Sequence, residues 1–175
     1  YRREMLEDVR ISDEYYDEDF FAYAEDTDLG WRARLRGWKC VYAPTALVYH
    51  ARSASAGKYS SFKAFLVERN RMWLEVKNFP LPLIVYGHFY TFLRYAYQAY
   101  GTLTGQGAAG AFSREYSKGQ LIGILLRSYL FSIAGFPKML KKRKQIQARK
   151  LIGIREVLSL MRMYGINARS IAFSG

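Results

Sequence analysis

The sequence has very little cysteine and no apolar leader. Its one cysteine, Cys40, cannot form a disulfide within the chain, which fits a reducing compartment. The first thirty residues are acidic rather than apolar, so they do not have the pattern of a signal peptide. The chain starts at Tyr1 without an initiator methionine, and we therefore expect it to be a fragment of a longer protein.

Acidic residues are almost absent from the second half of the chain. Residues 76–175 contain 15 Lys and Arg but only Glu115 and Glu156, whereas residues 1–75 contain 12 basic and 13 acidic residues. The net charge of +12 therefore arises in the second half. This asymmetry predicts two physical environments, with an anionic partner facing the basic half.

The chain is apolar enough to fold. It has 175 residues, of which 50% are hydrophobic and 17% are aromatic. This composition excludes disorder throughout, and the length suits one ordinary domain, or a small domain with an extension.

The first half has the patterns of alternating helices and strands. Helical spacing covers Glu25–Arg36, which Gly37 ends, and returns over Phe62–Asn78. Between these helices, Trp38–Ala43 alternates as a strand does, and Ala46–His50 is a second short apolar strand. These patterns predict an α/β arrangement.

The second half is predicted to be mainly helical. Phe79–Tyr100 and Leu121–Leu140 are apolar and rich in aromatic residues, and Gly101–Gly110 between them predicts a hinge. Ile154–Tyr164 predicts a last short amphipathic helix.

An acidic cluster at the start of the first long helix is the main candidate for chemistry. Glu25, Asp26 and Asp28 lie together, and a carboxylate at such a position can act as a general base on an alcohol. A solvated acidic helix start would have the same sequence. A calcium loop is a weaker interpretation, because the Asp-x-Asp-x-Asp-Gly spacing is absent.

Four further residues could bind ligands. A neutral His50 could coordinate a divalent cation, although a histidine at the end of a strand is more often structural. Arg52, Arg69 and the neighbouring Asn70 could contact phosphate oxygens, and a solvated helix face is the alternative.

The basic run near the C-terminus is predicted to face an anionic membrane. It follows an apolar segment that Arg127 interrupts, so we expect helices that lie in the membrane interface rather than span it. Nucleic acid phosphates, or a soluble subdomain with a basic face, remain alternatives. The residues predicted to face the membrane are Lys138, Lys141, Lys142, Arg143 and Lys144.

Taken together, the order of these motifs resembles family 2 glycosyltransferases, and most of all their bacterial rhamnosyltransferase-type members. The motif is Phe20-Phe-x-Tyr-x-Glu-Asp-x-Asp-Leu-x-x-Arg32, followed by Gly37, Tyr42-x-Pro44-x-Ala46, His50 and Arg69-Asn70. The resemblance covers residues 1–78.

The resemblance implies a partial GT-A fold, an α/β domain of the nucleotide-diphospho-sugar transferase type. Residues 1–78 would be its acceptor-side half, and residues 79–175 would be a helical, membrane-associating extension. The family's nucleotide-binding half and its Asp-x-Asp metal motif are missing from this chain. We therefore expect residues 1–175 alone to be inactive.

The resemblance also assigns roles to residues. Asp26 matches the catalytic base of an inverting transfer from a nucleoside-diphosphate sugar, with Glu25 beside it. Asp28, Trp31 and Arg32 would shape the acceptor site. His50 matches a position that joins a divalent metal, Mg²⁺ or Mn²⁺, bound mainly by the missing half. Contacts to diphosphate or acceptor would come from Arg52, Arg69 and Asn70.

The implied partners are a nucleoside-diphosphate sugar and a saccharide acceptor that is lipid-linked. The implied role is cell-surface polysaccharide synthesis at the cytoplasmic face of the membrane, with the protein bound peripherally. A membrane is favoured over nucleic acid as the partner, because the basic segment lies among Tyr, Phe and Leu residues. The alternative function is a non-catalytic basic module that binds membrane or nucleic acid.

Overall fold

The computed structural model describes residues 1–49 and 60–173, and these residues fold into helices. The elements are α1 (Arg3–Val9), a short 3-10 turn (Glu18–Phe20), α2 (Glu25–Leu35), α3 (Ser61–Asn78), α4 (Leu81–Thr104), α5 (Gly107–Glu115), α6 (Lys118–Arg149), α7 (Ile154–Tyr164) and α8 (Ala168–Phe173).

The prediction of an α/β, partial GT-A fold is wrong. In the described residues no strand forms, and the only strand-like pairing is the isolated bridge between Ile11 and Glu14. Residues 38–49 contain the first predicted strand and all of the second except His50, which lies outside the described residues, yet Val41 and Leu47 are 82% and 80% exposed. A strand is stable only when a neighbouring strand accepts its backbone hydrogen bonds, and the described residues supply none.

The helix predictions from local spacing are confirmed. α2 ends at Leu35, and Gly37 follows it with a positive φ of 83°, a conformation that glycine adopts without steric cost. α3 begins where the Ser60 side chain accepts a hydrogen bond from the Lys63 amide at 3.1 Å. α6 joins the apolar segment and most of the basic run in one continuous helix.

Helix α3 lies between α4 and α6. It runs antiparallel to α4, because Glu68 pairs with Arg94 while Arg71 donates to Thr91. It runs parallel to α6, because the Ser128 hydroxyl donates to the Phe65 carbonyl and the Ser132 hydroxyl donates to the Arg69 carbonyl. The division into domains at residue 78 stays a prediction, and α3 packs against α6 across it.

Small residues let α3 and α6 approach closely. Gly135 faces the indole of Trp73, and a Cβ atom built on Gly135 would lie 2.4 Å from Cζ2 of Trp73. The indole Nε1 donates to the Ser132 carbonyl at 3.0 Å. Phe20, Trp73, Leu74 and Met139 form a buried cluster beside this contact.

The outer faces of α4 and α6 remain apolar and exposed. Phe89 and Phe92 of α4 are 61% and 69% exposed, and Leu126 and Leu130 of α6 are 61% and 68% exposed. By length and composition, α6 is the one helix among the described residues that could cross a bilayer. Its contact with α3 buries a side that includes Ser128 and Ser132.

Candidate active site

The acidic motif divides between the surface and the interior. Asp26 is exposed in the first turn of α2, and its Oδ1 accepts hydrogen bonds from the Thr27 amide at 2.6 Å and the Thr27 hydroxyl at 3.2 Å. No described residue donates to Oδ2. The structure therefore presents an oriented carboxylate at the surface of the helix start, and one of its oxygens accepts no hydrogen bond from residues 1–49 and 60–173.

The loop before α2 has an unusual backbone. Phe21, Tyr23 and Ala24 have φ angles of 63°, 68° and 67°. Each such conformation in a residue other than glycine costs about 1–3 kcal/mol, and it persists only where surrounding contacts hold it. The path of the chain into Glu25 and Asp26 is therefore set by contacts from elsewhere in the fold.

Asn70 supplies those contacts. It is fully buried in α3, and its Nδ2 lies 2.9, 2.8 and 2.7 Å from the carbonyl oxygens of Phe20, Ala22 and Tyr23. Arg69 donates to the Phe20 carbonyl at 3.1 Å and to Oδ1 of Asn70 at 2.9 Å. In this structure the two residues hold the loop. The diphosphate or acceptor contact that the resemblance implies for them stays a prediction.

Asp28 and Arg32 anchor α2 in the interior. Both are buried, and Oδ2 of Asp28 lies 2.9 Å from Nε of Arg32. The guanidinium also donates to the carbonyls of Val9 and Tyr15. These bonds tie α2 to the chain that precedes it and hold both side chains in the interior, and the acceptor-site role that the resemblance implies for them stays a prediction.

Two buried lysines complete an ion-pair network. Lys77 bridges Asp17 and Asp28, with its Nζ 2.9 Å from Oδ1 of Asp28. Lys142 of α6 lies 2.6 Å from Oδ1 of Asp17 and 2.8 Å from Oδ2 of Asp19. Because each charge has a partner of opposite sign, the network tolerates burial.

Ion pairing lowers the pKa of Asp17 and raises the pKa of Lys142. Burial alone would raise the pKa of Asp17, but attraction to Lys77 and hydrogen bonds from Lys142 and Lys77 outweigh it and hold the pKa below its ordinary value. Burial alone would lower the pKa of Lys142, but hydrogen bonds to Asp17 and Asp19 raise it instead. Both groups therefore stay charged at neutral pH.

Sequence reasoning missed Lys77 and Asn78. Asn78 donates from Nδ2 to Oδ1 of Asp28 at 2.8 Å. The spacing in the sequence could have indicated Lys77, because it lies four residues after Trp73 and seven residues after Asn70, on the same side of the helix. A charged residue on a buried helix face indicates an ion pair in the interior.

Glu25 and Trp31, the two remaining predicted site residues of α2, have different surroundings. Glu25 is half-buried, and its Oε2 has no hydrogen-bond partner among the described residues. The indole of Trp31 packs edge-on against Phe79, with ring centroids 4.7 Å apart. Trp31 thus connects α2 to the turn between α3 and α4.

A metal site is not assembled by the described residues. Within residues 1–49 and 60–173, no group of three or more His, Cys, Asp or Glu could hold a metal ion. Asp17 and Asp19 face Lys142 instead, and Asp28 faces Lys77. His50 and Arg52 lie outside the described residues, and their roles stay predictions.

The residues predicted to face a membrane have different environments. Lys142 is buried in the ion-pair network, and exposed Lys138 pairs with Asp19 at 2.5 Å. Arg143 is half-buried and donates to the backbone carbonyls of Val76 and Phe79. Lys141 and Lys144 are exposed. A role at a membrane surface stays a prediction for all five residues.

Comparison with known proteins relates part of the chain to a glycosyltransferase. The chain is 37% identical over a 67-residue alignment to N-acetylglucosaminyl-diphospho-decaprenol L-rhamnosyltransferase of Mycobacterium tuberculosis, strain CDC 1551 / Oshkosh. The protein of the same name in strain ATCC 25618 / H37Rv matches equally. Each alignment covers 33% of this chain and 22% of the relative, so the chain matches only about a fifth of the relative's length. No family profile matches the chain, and no solved structure matches it significantly.

Proposed function

We propose that this chain is part of an inverting glycosyltransferase that transfers a sugar from a nucleoside-diphosphate sugar to a hydroxyl of a lipid-linked saccharide. The similarity to a rhamnosyltransferase whose name specifies a diphospho-decaprenol acceptor carries this proposal. The exposed and oriented carboxylate of Asp26 supports it.

Asp26 is the proposed general base. Its carboxylate takes the proton from the acceptor hydroxyl while that oxygen forms a bond to the anomeric carbon of the donor sugar. The bond from the anomeric carbon to the diphosphate breaks, and its electron pair leaves with the nucleoside diphosphate. No step in this proposal passes through a metal, and the Mg²⁺ or Mn²⁺ that the resemblance implies stays a prediction.

Positioning of Asp26 is the proposed task of Asn70 and the buried ion pairs. A carboxylate is a weak base at neutral pH, so its contribution depends on being held within hydrogen-bond reach of the hydroxyl. Asn70 holds the loop that leads into α2, and Lys77 holds Asp28 one turn into the helix. Both contacts fix the helix start that carries Asp26.

A peripheral position on the cytoplasmic face of the membrane is part of the proposal. A lipid-linked acceptor stays in the bilayer, so the enzyme gains from remaining at its surface. The exposed apolar faces of α4 and α6, together with the exposed Lys141 and Lys144, suit an anionic lipid surface.

A transfer assay tests the proposal. Membranes from cells that produce the protein containing this chain are incubated with radiolabelled nucleoside-diphosphate sugars and N-acetylglucosaminyl-diphospho-polyprenol. We expect the label from one donor to move into the lipid fraction. Absence of transfer from every donor, with the protein present and folded, would contradict the proposed function.

A further inference from the structure

An open groove of about 540 Å³ lies between the start of α4 and the end of α6. Its lining includes three cationic side chains, Arg143, Lys144 and Lys150, and no carboxylate. A surface groove lined by cations and free of acids attracts anions.

The floor of the groove is firmly held. Arg143 donates from Nη1 to the carbonyls of Val76 and Phe79 at 2.6 and 2.7 Å. Gln147 donates to the Asn78 carbonyl at 2.9 Å. These bonds fix α6 against the turn between α3 and α4, so the Arg143 guanidinium does not have to be ordered when a ligand binds.

The start of α4 adds to the positive potential. Pro80 precedes this 24-residue helix, and no side chain caps its first backbone amides. Pro82 has no N–H and the Leu83 amide donates to the Pro80 carbonyl at 2.9 Å, so this end favours an anion through the helix dipole rather than through free amides. Since Pro80 and Leu81 line the groove, the helix start and the three cations act on the same space.

Two exposed apolar stripes end at the groove. On α4, Leu81 lines the groove, and Val85 and Phe89 follow it at helical spacing, with 67%, 74% and 61% exposure. On α6, Leu140 lines the groove and Ile133 lies two turns before it, with 53% and 57% exposure. A free phosphate would leave both stripes in water, whereas the chains of a lipid would cover them.

We propose that this groove binds the phosphate-bearing headgroup of a lipid, with the lipid chains lying along the stripes of α4 and α6. The inference deepens the proposed function and rests on it for one point only, that the lipid is the acceptor. Asn78 connects the groove to the buried ion pairs under α2, because it accepts from Gln147 at its backbone and donates to Asp28 from its side chain.

Vesicle sedimentation tests the inference without any sugar donor. Residues 1–175 are mixed with vesicles of phosphatidylcholine, with and without phosphatidic acid. We expect sedimentation only with phosphatidic acid. The double variant Lys144→Glu and Lys150→Glu should weaken binding about tenfold or more, because both charges line the groove.

A matched variant separates the groove from general basic charge. Arg114→Glu with Lys118→Glu changes the net charge equally, and both residues are exposed outside the groove lining, Arg114 on α5 and Lys118 on α6. We expect this control variant to lose much less vesicle binding than the variant of Lys144 and Lys150. Equal losses for the two double variants, or no sedimentation of the wild-type chain, would overturn the inference. Circular dichroism of each variant verifies that its helix content is unchanged.

Two further measurements distinguish the source of the phosphate. Phe89→Ser should weaken vesicle binding and leave the binding of inorganic pyrophosphate unchanged. Pyrophosphate binding as tight as vesicle binding, with no effect of Phe89→Ser on either, would show a site for free phosphate and contradict the lipid. Retention of duplex DNA that the groove variant abolishes would also contradict it. A failure here leaves the transfer assay unaffected, so it is distinguishable from a failure of the proposed function.

Discussion

The Nζ atom of Lys77 lies 2.9 Å from Oδ1 of Asp28, and both side chains are fully buried. This pair joins the last turn of α3 to the first turn of α2, across about fifty residues of sequence. The same ammonium contacts Asp17 and lies 4.8 Å from the ring centroid of Phe20. One lysine therefore connects the acidic segment, the start of α2 and the central helix.

Replacing Lys77 should strongly destabilise the fold. Lys77→Met keeps the length of the side chain but leaves Asp17 and Asp28 without their shared cation. Removing one partner of a buried ion pair costs about 3–5 kcal/mol, and we expect the lower end because Lys142 and Arg32 remain. Urea unfolding measures the change in the free energy of unfolding.

Lys118→Met is the control for this prediction. It lies at an exposed position and should change stability by less than about 0.5 kcal/mol. A Lys77→Met variant as stable as the Lys118→Met variant would contradict the network.

Acid should destabilise the protein partly through Asp17. Its folded-state pKa is below the unfolded value of about 3.9, because the attraction of Lys77 and Lys142 outweighs burial. The unfolded state therefore binds the proton more readily, so this stability is present above about pH 4 and is lost as the pH falls through the folded pKa. The difference in unfolding free energy between wild type and Asp17→Asn should shrink below about pH 4. A difference that is constant from neutral to acidic pH would contradict this role. Asp13→Asn, at a 91% exposed side chain, is the control.

The contact between Gly135 and Trp73 should not accept a larger residue. Gly135→Ala would place a methyl group 2.4 Å from Cζ2 of Trp73, and the indole is held by its bond to Ser132. Overpacking of this kind costs about 1–3 kcal/mol. Gly123→Ala in the same helix meets nothing within 4 Å, and it should stabilise α6 by up to about 1 kcal/mol. Thermal unfolding of the two variants should therefore shift in opposite directions. Shifts of the same sign would refute the close packing.

Asn70 should control the order of the loop before α2. Asn70→Asp keeps the shape of the side chain but replaces the donor amide with an acceptor that faces three carbonyl oxygens. We expect a loss of about 2 kcal/mol or more and faster hydrogen exchange of the amides in residues 20–27. Gln145→Ala, an exposed change on α6, should leave that exchange rate unaltered. Unchanged exchange in the Asn70 variant would show that other contacts hold the loop.

The sequence predicted the elements that depend on neighbours a few residues apart. α2, α3 and α7 follow from helical spacing and end signals, which act within one or two turns. Residues 38–49 have the alternation of a strand, but a strand also needs a partner that no local pattern supplies. The same limit explains why the α/β prediction was wrong.

The candidate site was predictable only in part. The acidic motif predicts Asp26 as the base, and the structure shows that residue exposed, but nothing local shows that Asp28 two residues later turns inward to Lys77. The sequence motif draws attention to Arg69 and Asn70. Their hydrogen bonds to a loop about fifty residues earlier depend on how α3 packs, and the sequence pattern does not predict that packing. In the sequence, Lys142 is one residue of a basic run. Its burial depends on the position of α6, which the sequence pattern does not predict.

The most direct test of the proposed function is glycosyl transfer by an Asp26→Asn variant of the protein that contains this chain. We expect transfer to the lipid-linked acceptor to fall about a hundredfold or more, while binding of the nucleoside-diphosphate sugar changes little, because the substitution removes only the base. Asp13→Asn, an exposed acidic residue away from the site, should transfer at the wild-type rate. Wild-type transfer by Asp26→Asn would contradict the account.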